Sequence, residues 1–156
     1  MAVSTMQMPD LDDAQRAHVA CIADSYARLT GQPLVAGGSG LAAALWSAPL
    51  AIVAHGTEAD PIFFFGNRTA LSLFEMNFDA FTRLPSRLSA EPLHRDERAR
   101  LLERVTRDGI IKDYAGVRVS ATGKRFRIAN AAVWNLTDAQ GAAAGQAAAF
   151  SEWHPL

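Results

Sequence analysis

The segment from Arg125 to Leu136 constrains the fold more than any other part of the chain. Phe126, Ile128, Asn130, Ala132, Trp134 and Leu136 stand at alternate positions. Alternation of this length has the period of a β-strand, whose successive side chains point to opposite faces. The spacing predicts that these six share one face. Ala121-Thr122-Gly123-Lys124 precedes the segment, a turn with Gly where positive φ is needed, and Thr137-Asp138-Ala139-Gln140-Gly141, another turn, follows it. Ile110–Ser120, alternating late (Val117 and Val119 against Arg118 and Ser120), and Gly145–Phe150 complete three strands. Strands joined by such short turns pair antiparallel, because a parallel crossover needs a dozen or more residues.

Upstream, Leu50–Ala54 and Ile62–Phe65 are short apolar runs around Gly56 and the polar Thr57-Glu58-Ala59-Asp60-Pro61, a further hairpin. Short helices fill the space between the two groups of strands. Asn67 caps one with Ala70, Leu71 and Phe74 on its apolar stripe, and a second holds Phe78, Phe81 and Leu84 and ends at Pro85. A third, His94 to Arg107, turns Leu101, Leu102 and Val105 inward and closes at Gly109. At the N-terminal end, beyond a structureless lead over residues 1–9, Asp10 is the expected N-cap. Val19, Ile22, Tyr26 and Leu29 then recur at spacings of three, four and three, a helix face that Gly31 and Pro33 stop. That face packs either on its own domain or against a second copy of the chain. The fold class is α+β: a five-stranded antiparallel sheet with short helices on one face and an N-terminal helix. Residues 1–40 read as a helical extension and loop, and 41–156 as the sheet domain.

Composition narrows the function. Fifteen basic against sixteen acidic residues, a net charge of −1, argue against a nucleic-acid partner. The single cysteine, Cys21, rules out an internal disulfide and suits a reducing compartment. The N-terminus lacks the basic and apolar regions of a signal peptide, and the apolar run 41–54 is broken by Ser47 and Pro49, so the expectation is a cytoplasmic protein without a membrane partner. Gly38-Ser39-Gly40-Leu41-Ala42-Ala43 fits a dinucleotide fingerprint in letters but lacks the strand before it and the long helix after it. No zinc spacing exists, His18, His55, His94 and His154 being isolated, and no metal is expected. Ser86 and Ser89 lack a nucleophile elbow, so no catalytic residue is assigned. The charged helix 95–107 interleaves bases with acids, as a solvated face does, and Lys124-Arg125-Phe126-Arg127 is a hairpin shoulder.

The run Ile62-Phe63-Phe64-Phe65-Gly66-Asn67-Arg68-Thr69-Ala70-Leu71-Ser72-Leu73-Phe74 resembles the PAS-domain pattern of strand, Asn and helix. The start of a long helix at Pro92–Arg98, a hairpin at Arg118–Phe126 and a closing strand at Asp138–Phe150 follow in PAS order. Residues 48–63, Leu73–Met76, Thr82–Pro92 and Val133–Leu136 are similar to one branch, the MEKHLA domain, which occurs alone in bacteria and at the C-terminus of plant class III homeodomain–leucine zipper proteins. The resemblance covers about residues 15–153 and does not extend to the plant proteins' DNA-binding parts. It implies a stand-alone sensory or ligand-binding module that holds a small organic molecule between sheet and helices, forms a homodimer through its N-terminal helix, and signals through an unidentified downstream protein.

The candidate ligand-binding residues are His55, Asn67, Arg87, Tyr114, Arg118, Asn130 and Trp134, polar or aromatic groups beside many small side chains. The cofactor is unknown. A flavin–cysteine photoadduct is excluded, because the segment Ser86-Arg87-Leu88-Ser89 that resembles the light-sensing relatives has no Cys. Gln146 is the one candidate for the glutamine those relatives carry on the last strand. His94 lies too early on the long helix to make haem the expected group. Two rivals to the ligand-binding reading are a homodimerising interaction module whose core is filled by Phe63, Phe65, Phe74 and Trp134, and a small enzyme using His55 and a nearby acid as base.

Overall fold

The structure is a computed structural model and describes residues 7–36, 40–90 and 95–156. Gly38 and Ser39 of the glycine-rich motif, the His94 that bears on haem, and residues 1–6 of the expected lead lie outside the described residues.

Helix α1 spans Asp13–Thr30. Its N-cap is Asp12 rather than Asp10, because Gln15 three residues on completes a reciprocal capping box that Asp10 has no partner to make. Gly31 closes the helix at φ 72°. Helix α2 (Leu41–Ser47) leads into strands β1 (Ala51–His55) and β2 (Phe63–Gly66), an antiparallel pair. Helices α3 (Arg68–Phe74) and α4 (Phe78–Phe81), a 3₁₀ turn at Ser86–Ser89 and helix α5 (Arg95–Asp108) follow. Strands β3 (Ile110–Val119), β4 (Arg125–Thr137) and β5 (Ala143–Phe150) complete an antiparallel sheet of order β2-β1-β5-β4-β3. A sixth short strand, β6 (Glu152–Pro155), goes beyond the five expected. It pairs with the first half of β4 after the chain steps out at Ser151, so Trp153 packs on Phe150 edge-on.

Asn67 joins the layers. It is fully buried, and its carboxamide uses both of its oxygen's acceptor sites and both of its N–H donors. The oxygen accepts from the Ile52 and Ala70 amides, each at 3.0 Å, and the nitrogen donates to the carbonyls of Leu45 (3.0 Å) and Leu50 (2.8 Å). One side chain thus caps α3 and fastens it to β1 and the end of α2.

The sheet has two differently covered faces. On the outer face α1 lies across β4 and β5. Val19 and Ile22 are buried against Trp134, Leu136, Ala147 and Ala149 of the same chain. The Trp134 indole N–H donates to the Ile22 carbonyl at 3.1 Å, Tyr26 meets the Trp134 ring edge-on, and the Ser25 hydroxyl accepts from the Thr137 amide at 3.0 Å. The apolar stripe seen in the sequence is therefore occupied within the monomer. Of that stripe only Leu29 is well exposed, at 40 %. Burial raises the pKa of the Cys21 thiol, with the nearby carboxylates of Asp138 and Asp24 adding to it, so this cysteine is a poor nucleophile.

The inner face carries α3, α4, the 3₁₀ turn and α5. Leu101 and Val105 of α5 turn toward the sheet, whereas Leu102, expected to face inward with them, is 49 % exposed. Phe63, Phe74, Phe81 and Phe126 close one end of this layer, with Phe63 and Phe81 stacked at 4.2 Å.

The expected single face of β4 is split by a bulge. Asn130 takes φ 51°, the left-handed region that Asn tolerates better than most residues. Tyr114 pairs with Ala131 and Gly116 with Ile128, so Ala115 on β3 faces both Ala129 and Asn130. One extra residue reverses the parity of everything after it. Phe126, Ile128, Ala131 and Val133 consequently face the inner layer, and Trp134 and Leu136 face α1. A compensating irregularity sets Lys112 and Asp113 opposite Ala132 and keeps Ile111, Tyr114, Gly116 and Arg118 on the inner face.

Candidate functional site

The inner layer does not close over the middle of the sheet. A cavity of about 560 Å³ lies between β1, β3, β4 and β5 on one side and the 3₁₀ turn and α5 on the other. That volume is in the range of small-molecule sites. Its apolar floor is Val53, Val133 and Ala148, which are cross-strand neighbours on β1, β4 and β5. Phe63, Phe74 and Phe150 form its aromatic end.

His55 and Gln146, directly opposed on β1 and β5, bring polar groups to this floor. His55 Nδ1 lies 3.0 Å from the Gly56 carbonyl, which makes that nitrogen the donor. No carboxylate among the described residues partners the ring. The close approach of the two strands depends on Gly145. At φ 130°, a Cβ there would fall 2.0 Å from the His55 carbonyl oxygen, so only glycine fits and the register of Gln146 is fixed. Gln146 Nε2 donates to Asn135 Oδ1 at 3.3 Å, and Asn135 Nδ2 donates to the Val105 carbonyl of α5.

Tyr114 and Arg118 line the cavity from β3. Gly116 stands between them on the same face, and a Cβ there would come 2.5 Å from the Tyr114 hydroxyl oxygen. The missing side chain lets the Tyr114 ring lie along its own strand. The Arg118 guanidinium then sits 5.4 Å from the ring centroid and donates to the hydroxyl at 3.4 Å. Above it, the end of the 3₁₀ turn joins β3 by a bridge between Ala90 and Arg118. Arg87 lines the same opening but is exposed and paired with Asp60 at 3.1 Å. Ser86 and Ser89 also line it, the Ser89 hydroxyl donating to the Ser86 carbonyl at 2.7 Å.

Of the residues singled out from sequence, His55, Arg87, Tyr114 and Arg118 come together in the cavity. Asn67, Asn130 and Trp134 do not. Asn67 uses its hydrogen-bonding groups inside the fold. Asn130 points outward from the bulge and donates to the Glu152 carboxylate at 3.0 Å. Trp134 is on the opposite face, beneath α1. Of the four aromatics expected to fill the core, Phe65 and Trp134 belong to the outer cluster, while Phe63 and Phe74 stand at the cavity's end. Gln146, Val133 and Ala148 are the lining residues that sequence reasoning could not place, since their faces depend on the bulge and on Gly145. No cysteine is among the described lining residues, and Cys21 is across the sheet in α1.

Comparison with known proteins gives one family and one fold. The family model described as the MEKHLA domain matches residues 16–155. No curated protein sequence matches the chain. Among solved structures, a PAS domain from Colwellia psychrerythraea superposes with a TM-score of 0.59 at 13 % identity, covering 74 % of this chain and 92 % of its own. The light-state dimer of the fungal blue-light photoreceptor Vivid gives 0.61 at 12 % identity, covering 95 % and 99 %. A light-oxygen-voltage domain studied with a flavin analogue gives 0.56 at 14 % identity, covering 74 % and 84 %. Identities this low show a shared fold and nothing finer.

Proposed function

The chain belongs to the MEKHLA domain family and has the PAS-like sensory fold, and from that premise we propose that it is a cytoplasmic module that binds a small organic molecule and signals through a protein partner. The observation that carries the reading is the cavity itself. On the outer face the same sheet is packed tightly by α1, yet on the inner face the helices stand off a floor of Val53, Val133 and Ala148. Polar groups of His55, Gln146, Tyr114 and Arg118 surround that floor, the few placed polar groups that a small-molecule site has. The one cysteine, free and buried, suits a reducing compartment. No helix among the described residues is long and apolar enough to cross a membrane.

Native mass spectrometry of the purified protein tests the reading, because it reports bound ligand and subunit number together. A specific ligand present at about 100 times its Kd adds about 2.7 kcal/mol of stability. A thermal-shift screen across metabolites and cofactors, flavins included, should therefore give a clear hit. No bound mass and no shift in the whole panel would defeat it. A homodimer through α1 is the further part of the proposal. Since Val19 and Ile22 are already buried in the monomer, such a dimer must either use the other side of α1 or lift the helix off the sheet. A monomer mass by light scattering at every concentration would remove it.

A further inference from the structure

The cavity carries a charge imbalance. Among its described lining residues are two arginines, Arg118 and Arg87, and no Asp or Glu. Arg87 is answered by Asp60 in an exposed pair. Arg118 has no carboxylate partner among the described residues. Its partner is the neutral Tyr114 hydroxyl, and none of the ion pairs among the described residues includes it. A guanidinium offers five N–H donors, so most of its capacity is unused. It is also half-buried, beneath the bridge from Ala90, where the missing counter-charge matters more than it would in open water.

We infer that the molecule taken by this cavity is an organic anion, with an oxyanion group docked on Arg118 and an apolar body over Val53, Val133 and Ala148. The inference rests on the ligand-binding reading above and adds the chemical class. Three features support it. The Tyr114 ring, seated by Gly116, holds the guanidinium over the inner face rather than letting it turn out to solvent. A planar fork of donors is suited to carboxylate, sulfonate or phosphate oxygens. The remaining floor is apolar, and the second polar group, the His55–Gln146 pair, is remote from the arginine. Arg118 pairs with Phe126 on β4, whereas Gln146 pairs with Asn135 at the strand's other end. The charged contact and the neutral hydrogen-bonding contact would thus hold different parts of one ligand.

Two fluorescent probes that differ only in charge test this. 8-Anilinonaphthalene-1-sulfonate carries one sulfonate, and N-phenyl-1-naphthylamine is the same skeleton without it. The expected result is that the sulfonate binds the intact protein at least about tenfold more tightly, the size of one charge-assisted hydrogen bond. Arg118→Gln should remove that preference by weakening the sulfonate far more than the neutral probe, and Arg118→Lys should restore part of it. Equal affinities for the two probes, or an Arg118→Gln protein that keeps the preference, would overturn the anion assignment while leaving a binding cavity in place. The cavity itself is tested by Ala148→Phe, with Ala148→Leu as the milder change should the first not fold. Either should weaken both probes. Absence of binding by both probes, or binding that neither substitution alters, would overturn the cavity reading and the inference together.

Discussion

The two faces of the sheet share their strands and differ in how they are closed. The outer face is covered by one long helix whose side chains reach the strands directly. Ile22, Leu45, Trp134 and Leu136 are almost wholly inaccessible there, with His18 stacked on Phe64 at 3.6 Å beside them. The inner face is covered by three short segments and by α5, which touches the sheet through Leu101 and Val105, and together they leave part of the face open. The alanines show how one strand serves both. On β5, Ala147 and Ala149 join the cluster under α1, where a small side chain lets the helix approach. Ala148 between them points the other way, and there the same small side chain leaves space. Alanine has no single meaning in this core. Strand parity decides whether it packs or makes room.

The contrast implies unequal sensitivity to substitution. Trp134→Ala removes the largest side chain of the outer cluster together with its hydrogen bond to Ile22, and α1 cannot collapse into the space without losing its caps. It should cost about 3–5 kcal/mol in urea denaturation, with amide protection falling first in α1. A loss below about 1 kcal/mol would mean that α1 does not hold the outer face as described. The next effect compares neighbours. Ala149→Leu forces extra methyl groups beneath α1 and should cost about 1–3 kcal/mol. Ala148→Leu sends the same groups into the cavity and should fall near zero or on the stabilising side, as cavity-filling changes do. Equal costs at 148 and 149 would break the distinction between the faces.

How much of this was legible in the sequence follows from the range of the forces involved. Local signals were readable: Asn67 as a cap, the Gly31 stop, the turns at Gly123 and Gly141, and the order of elements. The site was legible only in part. Arg118 and Tyr114, singled out as polar groups beside small side chains, line the cavity because the irregularity after Ile111 keeps their face of β3 inward. Trp134 and Asn130 were misplaced by a single residue. The alternation through Phe126, Ile128, Asn130, Ala132 and Trp134 is unbroken in letters, yet Asn130 at φ 51° inserts one position and reverses the rest. A bulge is set by the partner strand, and β3's contribution to it, Ala115, carries no mark in its own sequence. The N-terminal stripe was visible too. Whether it met its own sheet or a second copy was not, because both offer the same apolar surface.

The smallest expected effect concerns how the inner layer is held. The outer layer is fixed mainly by buried apolar contacts, which pH does not touch. The inner layer also has a polar clasp at the end of α3. Glu75, at φ 57°, accepts hydrogen bonds from the Ser120 and Thr122 hydroxyls and meets Lys124 at 3.5 Å, which ties α3 to the β3–β4 turn. These hydroxyls, Ser120 foremost, hold the carboxyl below its usual 4.5. A carboxyl with a lowered folded-state pKa stabilises the fold fully above its unfolded value, and the contribution disappears as pH falls through the folded one. Glu75→Gln should therefore be less stable than the parent near about pH 7, and the gap should be smaller at acid pH. Hydrogen exchange should show the change in α3 and the turn at 120–124, with α1 unaltered. A gap that is the same at both pH values, or one accompanied by loosening of α1, would show that the two layers are not held independently.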